Sequence, residues 1–207
     1  MSVASDERAA LVGALRTAGP DAPTLCPGWT TRELVAHLLA RERRPEALLG
    51  IGFPRFAERR HLIERRIATD HEWSELVDQL AAGPPAYSPL RLLNRVANIH
   101  EMFVHHEDVR RAVPGWTPRA LDDDTVGALK RLTRFFAPIL MPEVPARVTF
   151  QTPDGISLAQ FGAGPAVSVS GPPGELLLFA FGRNAIRVDF TGDAEVVDTV
   201  RRSERRF

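Results

Sequence analysis

Apolar residues recur at helical spacing over most of the first 140 residues of the chain. Leu11 and Leu15 lie one helical turn apart, and Leu129 and Leu132 repeat the pattern much later. Such a spacing places apolar side chains on one face of a helix. It predicts helices over residues 6–18, 30–44, 56–68, 72–82, 89–112 and 123–139. Together these helices indicate a bundle with a shared apolar core.

Polar and breaking residues mark several ends of these helices. Thr30, followed three residues later by Glu33, forms a capping box, in which each side chain accepts a hydrogen bond from an exposed backbone N–H group. Thr31 is the alternative cap. Asp122 is suited to cap the helix at 123–139. The Gly-Pro-Pro sequence at 83–85 ends the helix before it.

The pattern changes near Pro142, where alternating apolar and polar residues replace the helical spacing. The alternation predicts strands over 147–151, 156–161, 166–170 and 187–191. Two short helices are predicted over 172–180 and 193–202. We therefore expect a mainly α protein: a helical bundle over residues 1–141, followed by a small α+β domain with an antiparallel sheet over residues 142–207.

Charge and cysteine content narrow the classes of function. Acidic and basic residues balance at 26 each, so the net charge of zero offers no general attraction to nucleic acid or to an acidic membrane. The single cysteine, Cys26, excludes an internal disulfide framework. The chain contains no long apolar run and no signal-peptide layout. We expect a cytoplasmic protein that binds neither nucleic acid nor membranes, and the pattern leaves a homodimer open.

A group of histidines provides the candidate chemistry. Glu101 and His105 lie four residues apart on one predicted helix, so they project from the same face and can bind one metal ion. His37 is the best candidate for a third ligand, since it shares its face with inward-pointing leucines. The alternative for Glu101 and His105 is a solvated surface pair, because they lie opposite Ile99 and Phe103. The alternative for His37 is a hydrogen-bonded core histidine.

Two segments carry a family resemblance. Residues 25–38 read LCPGWTTRELVAHL, and residues 101–108 read EMFVHHED. Together they resemble the DinB-like metal-binding bundle, and more closely a compact branch of the mycothiol-dependent maleylpyruvate isomerase family. The resemblance is strongest over residues 5–140. The C-terminal part is similar in layout to the small sterol-carrier-like domain of that branch.

The resemblance implies a metal site and an activity. His37, Glu101 and His105 are the implied ligands of a divalent metal, and His106 is a neighbour that need not bind it. Zinc is the metal we expect; nickel, manganese and iron are alternatives, because this ligand set accepts all of them. The implied partners are a small-molecule thiol, mycothiol, and a small organic substrate. The implied activity is isomerisation or thiol transfer by a metal-activated thiol or water.

Other roles stay open at this level. The resemblance places a functional arginine in the C-terminal domain, where Arg183 is our candidate for holding a substrate carboxylate and Arg187 competes with it. Asp108 either orients a ligand or contacts Arg110 or Arg111. Cys26 is either a small buried residue under Trp29 or a thiol activated by the following helix. A non-catalytic binding module, with His106 or His61 completing the metal shell, and a metal-free structural bundle are the alternative functions.

Overall fold

The computed structural model describes residues 2–44, 57–88 and 98–205. Its packing divides the chain into two compact units, Met1–Thr117 and Pro118–Phe207. No helix within the described residues is both long and apolar enough to cross a membrane. The mainly α architecture with a small sheet, expected from the sequence, is confirmed.

The N-terminal unit is a set of packed helices. In the described residues these are α1 (Val3–Ala18), α2 (Thr31–Arg43), α3 (Ala57–Asp70), α4 (Trp73–Ala81) and α5 (Ile99–Arg111). Helix α1 packs against α4 and α5, and α2 packs against α3 and α4. The predicted capping box is confirmed: the Thr30 hydroxyl accepts the N–H of Arg32, and Glu33 accepts the N–H of Thr30. Residues 89–97, the first part of the long predicted helix, lie outside the described residues.

The core of this unit is built from the apolar faces that the periodicity identifies. Its members are leucines and valines from α1, α2, α4 and α5, together with one cysteine and one methionine. They are Leu11, Val12, Leu15, Cys26, Leu34, Val35, Leu38, Leu39, Leu76, Val77, Leu80, Met102 and Val109. Burial of this apolar surface holds the helices together.

The connection between α1 and α2 is fixed against α5. The backbone N–H of Leu25 donates to the carbonyl of Asp108 over 3.0 Å. Thr24 accepts the N–H of Cys26 at 3.1 Å and donates its hydroxyl to the carbonyl of Trp29 at 2.9 Å. Backbone and hydroxyl groups are thereby satisfied within a loop, as buried polar groups require. The result is that Cys26 and Trp29 stand at a defined position beside α5.

A buried ion pair ties three helices together. Arg8 on α1 forms a two-point hydrogen bond with Glu42 on α2, and its guanidinium also donates to the carbonyl of Leu80 on α4 at 2.9 Å. Arg8 and Glu42 are 6% and 1% exposed. Both terminal nitrogens of the Arg8 guanidinium donate hydrogen bonds, and such pairing makes the burial of two charges tolerable.

The C-terminal unit contains one long helix, a sheet and two short helices. These are α6 (Asp123–Leu140), β1 (Arg147–Gln151), β2 (Ser157–Phe161), β3 (Ala166–Ser170), α7 (Pro173–Ala180), β4 (Asp189–Thr191) and α8 (Ala194–Arg202). Helix α6 packs against α7 and β2. The packing therefore groups α6 with the sheet, whereas the sequence analysis grouped it with the bundle. The division at residues 141 and 142 stays a prediction.

The sheet is mixed, so the expected fully antiparallel sheet is wrong in one pairing. The strand order is β2-β1-β3-β4. β1 pairs antiparallel with β2, and β3 pairs antiparallel with β4, but β1 and β3 are parallel. After β2 the chain does not add the next strand beside β2. It crosses instead to the other edge of β1, and because it does so from the end of β2 that lies beside the start of β1, β3 runs parallel to β1.

Glycine makes this crossing possible. Gly162, directly after β2, has φ +75°, and a Cβ placed there would lie 2.1 Å from the carbonyl oxygen of Ala146 and 2.7 Å from Cγ1 of Val144. A positive φ is strained for residues that carry a Cβ. Both the backbone conformation and the close approach to the start of β1 therefore require glycine at this position.

Candidate metal centre

Helix α5 is buried on all sides over most of its length. Phe103 is 2% exposed on one face, and His105 and Asp108 are 8% and 0% exposed on the other. A helix without a solvated face must place its polar side chains against other protein groups. The surface-pair alternative for Glu101 and His105 is therefore wrong, because the side of the helix that carries His105 lies inside the N-terminal unit.

His37 from α2 meets Glu101 and His105 from α5. Each residue of this trio offers one ligand atom, and the three atoms lie within 4.8 Å of one another. Nε2 of His105 is 3.4 Å from an oxygen of Glu101, and the imidazole centroids of His37 and His105 are 5.7 Å apart. Two imidazoles and one carboxylate at this separation fit a divalent ion such as zinc and leave coordination positions for other ligands.

Carboxylates orient both histidines. Nδ1–H of His37 donates to Glu64 on α3 over 2.8 Å, and Nδ1–H of His105 donates to Asp108 over 2.9 Å. A metal-binding histidine commonly donates its second N–H group to a carboxylate, which fixes the ring and increases its basicity. With Nδ1 engaged in this way, Nε2 is the nitrogen that each ring presents as a ligand. The donor set and its support therefore fit a divalent metal.

Arg41 balances the charge of Glu101. Its Nε lies 3.5 Å from Glu101, and its guanidinium also donates to the side chain of Asn98 at 2.9 Å. Burial raises the pKa of Glu101, but the positive charge of Arg41 and hydrogen bonds from the neighbouring histidines outweigh it. The pKa of Glu101 lies well below its ordinary value. Glu101 is thus an ionised ligand throughout the physiological range.

His105 lies between two carboxylates. Burial alone would lower its pKa, but the hydrogen bond to Asp108 opposes this effect most strongly, and contacts with Cys26 and Glu101 add to it. The pKa of His105 consequently lies well above its ordinary value. Without a metal, the surrounding carboxylates therefore favour the protonated form of the His105 ring.

Cys26 lies on the other side of the His105 ring. Its thiol donates to Asp108 over 3.2 Å, and its sulfur is 3.9 Å from Nδ1 of His105. These three residues form a second group with metal-ligand atoms within 4.8 Å. Of the two alternatives for Asp108, its hydrogen bond with Nδ1 of His105 agrees with the ligand-orienting one.

Residues 2–133 match the family described as the mycothiol maleylpyruvate isomerase N-terminal domain. The chain belongs to this family. Two solved structures share its fold: the crystal structure of the mycothiol-dependent maleylpyruvate isomerase, with a TM-score of 0.58 at 15% identity, and a histidine-to-alanine mutant of that enzyme, with a TM-score of 0.59 at 14% identity. Each alignment covers 92% of this chain and 90% of the other. No curated protein matches the chain in sequence.

The resemblance to the mycothiol maleylpyruvate isomerase family is therefore confirmed, and the candidate metal centre falls wholly inside the matched segment. Arg183 lies beyond it. Its guanidinium donates to the carbonyl of Phe181 at 2.6 Å, in the turn after α7. The competing Arg187 donates its backbone N–H to Glu175 at 2.6 Å. The assignment of Arg183 to a substrate carboxylate stays a prediction.

The two histidines suspected as a fourth ligand have other contacts. Nδ1 of His106 is 3.3 Å from Glu7 on α1. Nδ1 of His61 is 3.3 Å from Glu64, and its side chain is 52% exposed. Neither belongs to a metal-ligand group within residues 2–44, 57–88 and 98–205. Within the described residues, neither histidine therefore adds a fourth ligand to the trio of His37, Glu101 and His105.

Glu64 is one residue of this site that the sequence analysis missed. Helix α3 carries charges on several faces, with Arg59, Arg60, Arg65 and Arg66 around Glu64. Such a pattern gives no indication of which carboxylate faces inward. Only the packing of α3 on α2, which brings Glu64 to His37, distinguishes it.

Proposed function

We propose that this protein is a metal-dependent enzyme that uses a thiol, with mycothiol as the thiol and isomerisation or thiol transfer as the reaction. One observation carries the proposal: His37, Glu101 and His105 converge with both histidines oriented by buried carboxylates. A trio of this kind leaves open coordination positions, which is the arrangement of catalytic and not of structural metal sites. Membership of the family agrees with this class of reaction.

Each residue of the proposed site has a distinct role in binding the metal, the thiol or the substrate. His37, Glu101 and His105 would hold the ion, and a bound divalent metal supplies Lewis acidity that lowers the pKa of a coordinated thiol. Glu64 and Asp108 keep the two imidazoles in the ligating orientation. Arg41 holds Glu101 ionised. In the C-terminal unit, Arg183 is proposed to bind a substrate carboxylate through its guanidinium.

Metal analysis of the purified protein tests the proposal. We expect about one divalent ion per chain in the wild type, since three ligands form one site. His37→Ala and His105→Ala should lose it. His71→Ala is the matched control, because the His71 side chain is 42% exposed and pairs with Glu75 away from the trio, and it should retain the metal. The protein should be prepared without a histidine tag and analysed by elemental mass spectrometry.

Thiol binding is the second part of this test. Cobalt-substituted protein should change its visible absorption when mycothiol is added, since a thiolate in the cobalt coordination shell adds charge-transfer absorption. A wild type that holds no metal even after reconstitution would overturn the proposal. Metal binding without any response to the thiol would favour the non-catalytic binding module instead.

Replacement of Glu64 should weaken metal binding without removing a ligand. In Glu64→Gln the side chain keeps its size but loses the charge that polarises the His37 ring, and we expect a roughly 10–100-fold loss of metal affinity. Glu58→Gln, at an exposed position of the same helix, is the control and should bind like the wild type. Competition with a fluorescent chelator measures both affinities. Equal affinities would show that Glu64 does not support the site.

A further inference from the structure

On the side of the His105 ring that faces Cys26, three side chains form a second candidate metal site. Cys26, His105 and Asp108 are each at least nine-tenths buried, at 9%, 8% and 0% exposure. They offer a thiol, an imidazole nitrogen and a carboxylate oxygen, which are three of the side-chain groups that bind transition metals. A buried cluster of this kind differs from an isolated thiol, because every member can donate an electron pair to the same point.

The spacing of these atoms fits a single ion. The Cys26 sulfur is 3.2 Å from the Asp108 oxygen and 3.9 Å from Nδ1 of His105, and that nitrogen is 2.9 Å from the same oxygen. Ligand atoms around a tetrahedral zinc ion lie roughly 3.3–3.6 Å apart when bond lengths and angles are ordinary. Shifts of a few tenths of an ångström would therefore bring all three onto one ion.

The backbone already holds the two halves of the cluster together. Leu25, next to Cys26, donates its N–H to the carbonyl of Asp108, and Thr24 accepts the N–H of Cys26. One main-chain hydrogen bond thus joins the loop to the helix, between the neighbour of Cys26 and Asp108 itself, and the Thr24 hydroxyl fixes Cys26 within the loop. A site held in this way needs little reorganisation to bind an ion.

We propose that Cys26, Asp108 and Nδ1 of His105 form a second metal site that takes a soft, thiophilic divalent cation such as Cd²⁺. On binding, the cation replaces the thiol proton of Cys26 and the Nδ1 proton of His105, and both protons leave to solvent. The sulfur ligand favours soft ions, whereas His37 and Glu101 on the far side of the ring offer only nitrogen and oxygen. The site goes beyond the proposed function and does not require it.

Competition between the two sites follows from the shared ring. A cation bound to the sulfur side engages Asp108 and Nδ1, the groups that otherwise orient Nε2 toward Glu101. A soft ion is therefore expected to weaken binding of a harder ion by His37 and Glu101. Binding of a thiophilic metal at Nδ1 of His105 would thus lower the affinity of the ion bound at Nε2 of the same ring.

Cadmium titration of the untagged protein tests the proposal. Cys26 is the only cysteine, so an ultraviolet thiolate-to-cadmium absorption band must report this residue. We expect the band to saturate at one equivalent of Cd²⁺ in the wild type. X-ray absorption of this complex should show one sulfur and at least one imidazole around the metal. This measurement needs no variant and is independent of any effect of mutation on folding.

Variants then identify the partners of the sulfur. Asp108→Asn is close to isosteric and should raise the Cd²⁺ concentration needed for the band at least about tenfold, because it removes an anionic ligand. His37→Ala should leave the band unchanged while it removes the metal of the proposed catalytic trio, so failure of one site is distinguishable from failure of the other. Circular dichroism confirms the folding of each variant.

Three results would overturn the inference. The first is a wild type without the band at stoichiometric Cd²⁺. The second is a band whose titration is unchanged in Asp108→Asn, which would mark Cys26 as an isolated thiol. The third is a band lost in a folded His37→Ala variant, which would mean that only one site exists.

Discussion

Arg8→Met is expected to destabilise the N-terminal unit by about 3–5 kcal/mol, because it leaves the Glu42 carboxylate buried without its partner. Arg8 is the residue that joins α1, α2 and the end of α4, and it satisfies both oxygens of Glu42. Methionine preserves much of the length and apolar volume of the side chain. The loss therefore measures the stranded charge, and the carbonyl of Leu80 also loses a donor.

Urea unfolding followed by tryptophan fluorescence measures this effect, since Trp29, Trp73 and Trp116 all belong to the N-terminal unit. The double variant with Glu42→Leu should recover most of the lost free energy of unfolding, because the buried charge is removed.

Arg16→Ala is the matched control for Arg8. Arg16 lies on the same helix as Arg8 and pairs with Asp78 on α4, but both side chains are more than half exposed. Its removal should change the free energy of unfolding by no more than about 1 kcal/mol. If the Arg8 and Arg16 variants unfold at the same urea concentration, the buried pair does not stabilise the unit as argued.

Gly162→Ala is expected to disrupt the sheet of the C-terminal unit. Two costs combine: the strain of a positive φ for alanine, and the collision of its Cβ with the carbonyl of Ala146 and the side chain of Val144. Each costs roughly 1–3 kcal/mol, so the loss should fall near 2–6 kcal/mol. The collision involves backbone at the start of β1, which cannot move without disturbing the pairing of β1 with β3.

Gly155→Ala separates the two costs. Gly155 also has a positive φ, +84°, but no atom lies within 4 Å of a Cβ placed there. It should cost only the strain, roughly 1–3 kcal/mol. Hydrogen exchange measured on peptides that contain β1 and β3 reports the stability of the sheet. Similar exchange rates in the two variants would mean that the contact with Ala146 carries no energetic penalty.

Sequence patterns predicted those structural features that depend only on residues close together in the chain. The capping box of Thr30 and Glu33 lies within one turn of a helix, and the structure has both of its hydrogen bonds. The four-residue spacing of Glu101 and His105 likewise places both on one helix face. These short-range signals located most helices and brought two of the three trio residues together before any tertiary contact was considered.

Long-range pairing was beyond these patterns. Arg8 and Glu42 have the ordinary appearance of surface charges in their own helices, and only packing makes them a buried pair. Glu64 is equally ordinary within the charged helix α3. The parallel register of β1 and β3 was missed because alternation identifies strands but not their neighbours. Each of these features depends on contacts between distant segments.

The segment that matches the family and the units defined by packing have different boundaries in this chain, and helix α6 lies where they differ. The family match ends at residue 133, inside α6, whereas the packed unit that contains this helix begins at Pro118. Ala137 and Leu140 belong to the same apolar core as β1 and α7. A fragment that ends at residue 141 would keep α6 but lack the strands and helix that cover these side chains. A fragment that ends at residue 117 follows the packed unit, whereas one that ends at residue 133 follows the family match, so the two criteria define different segments of the chain.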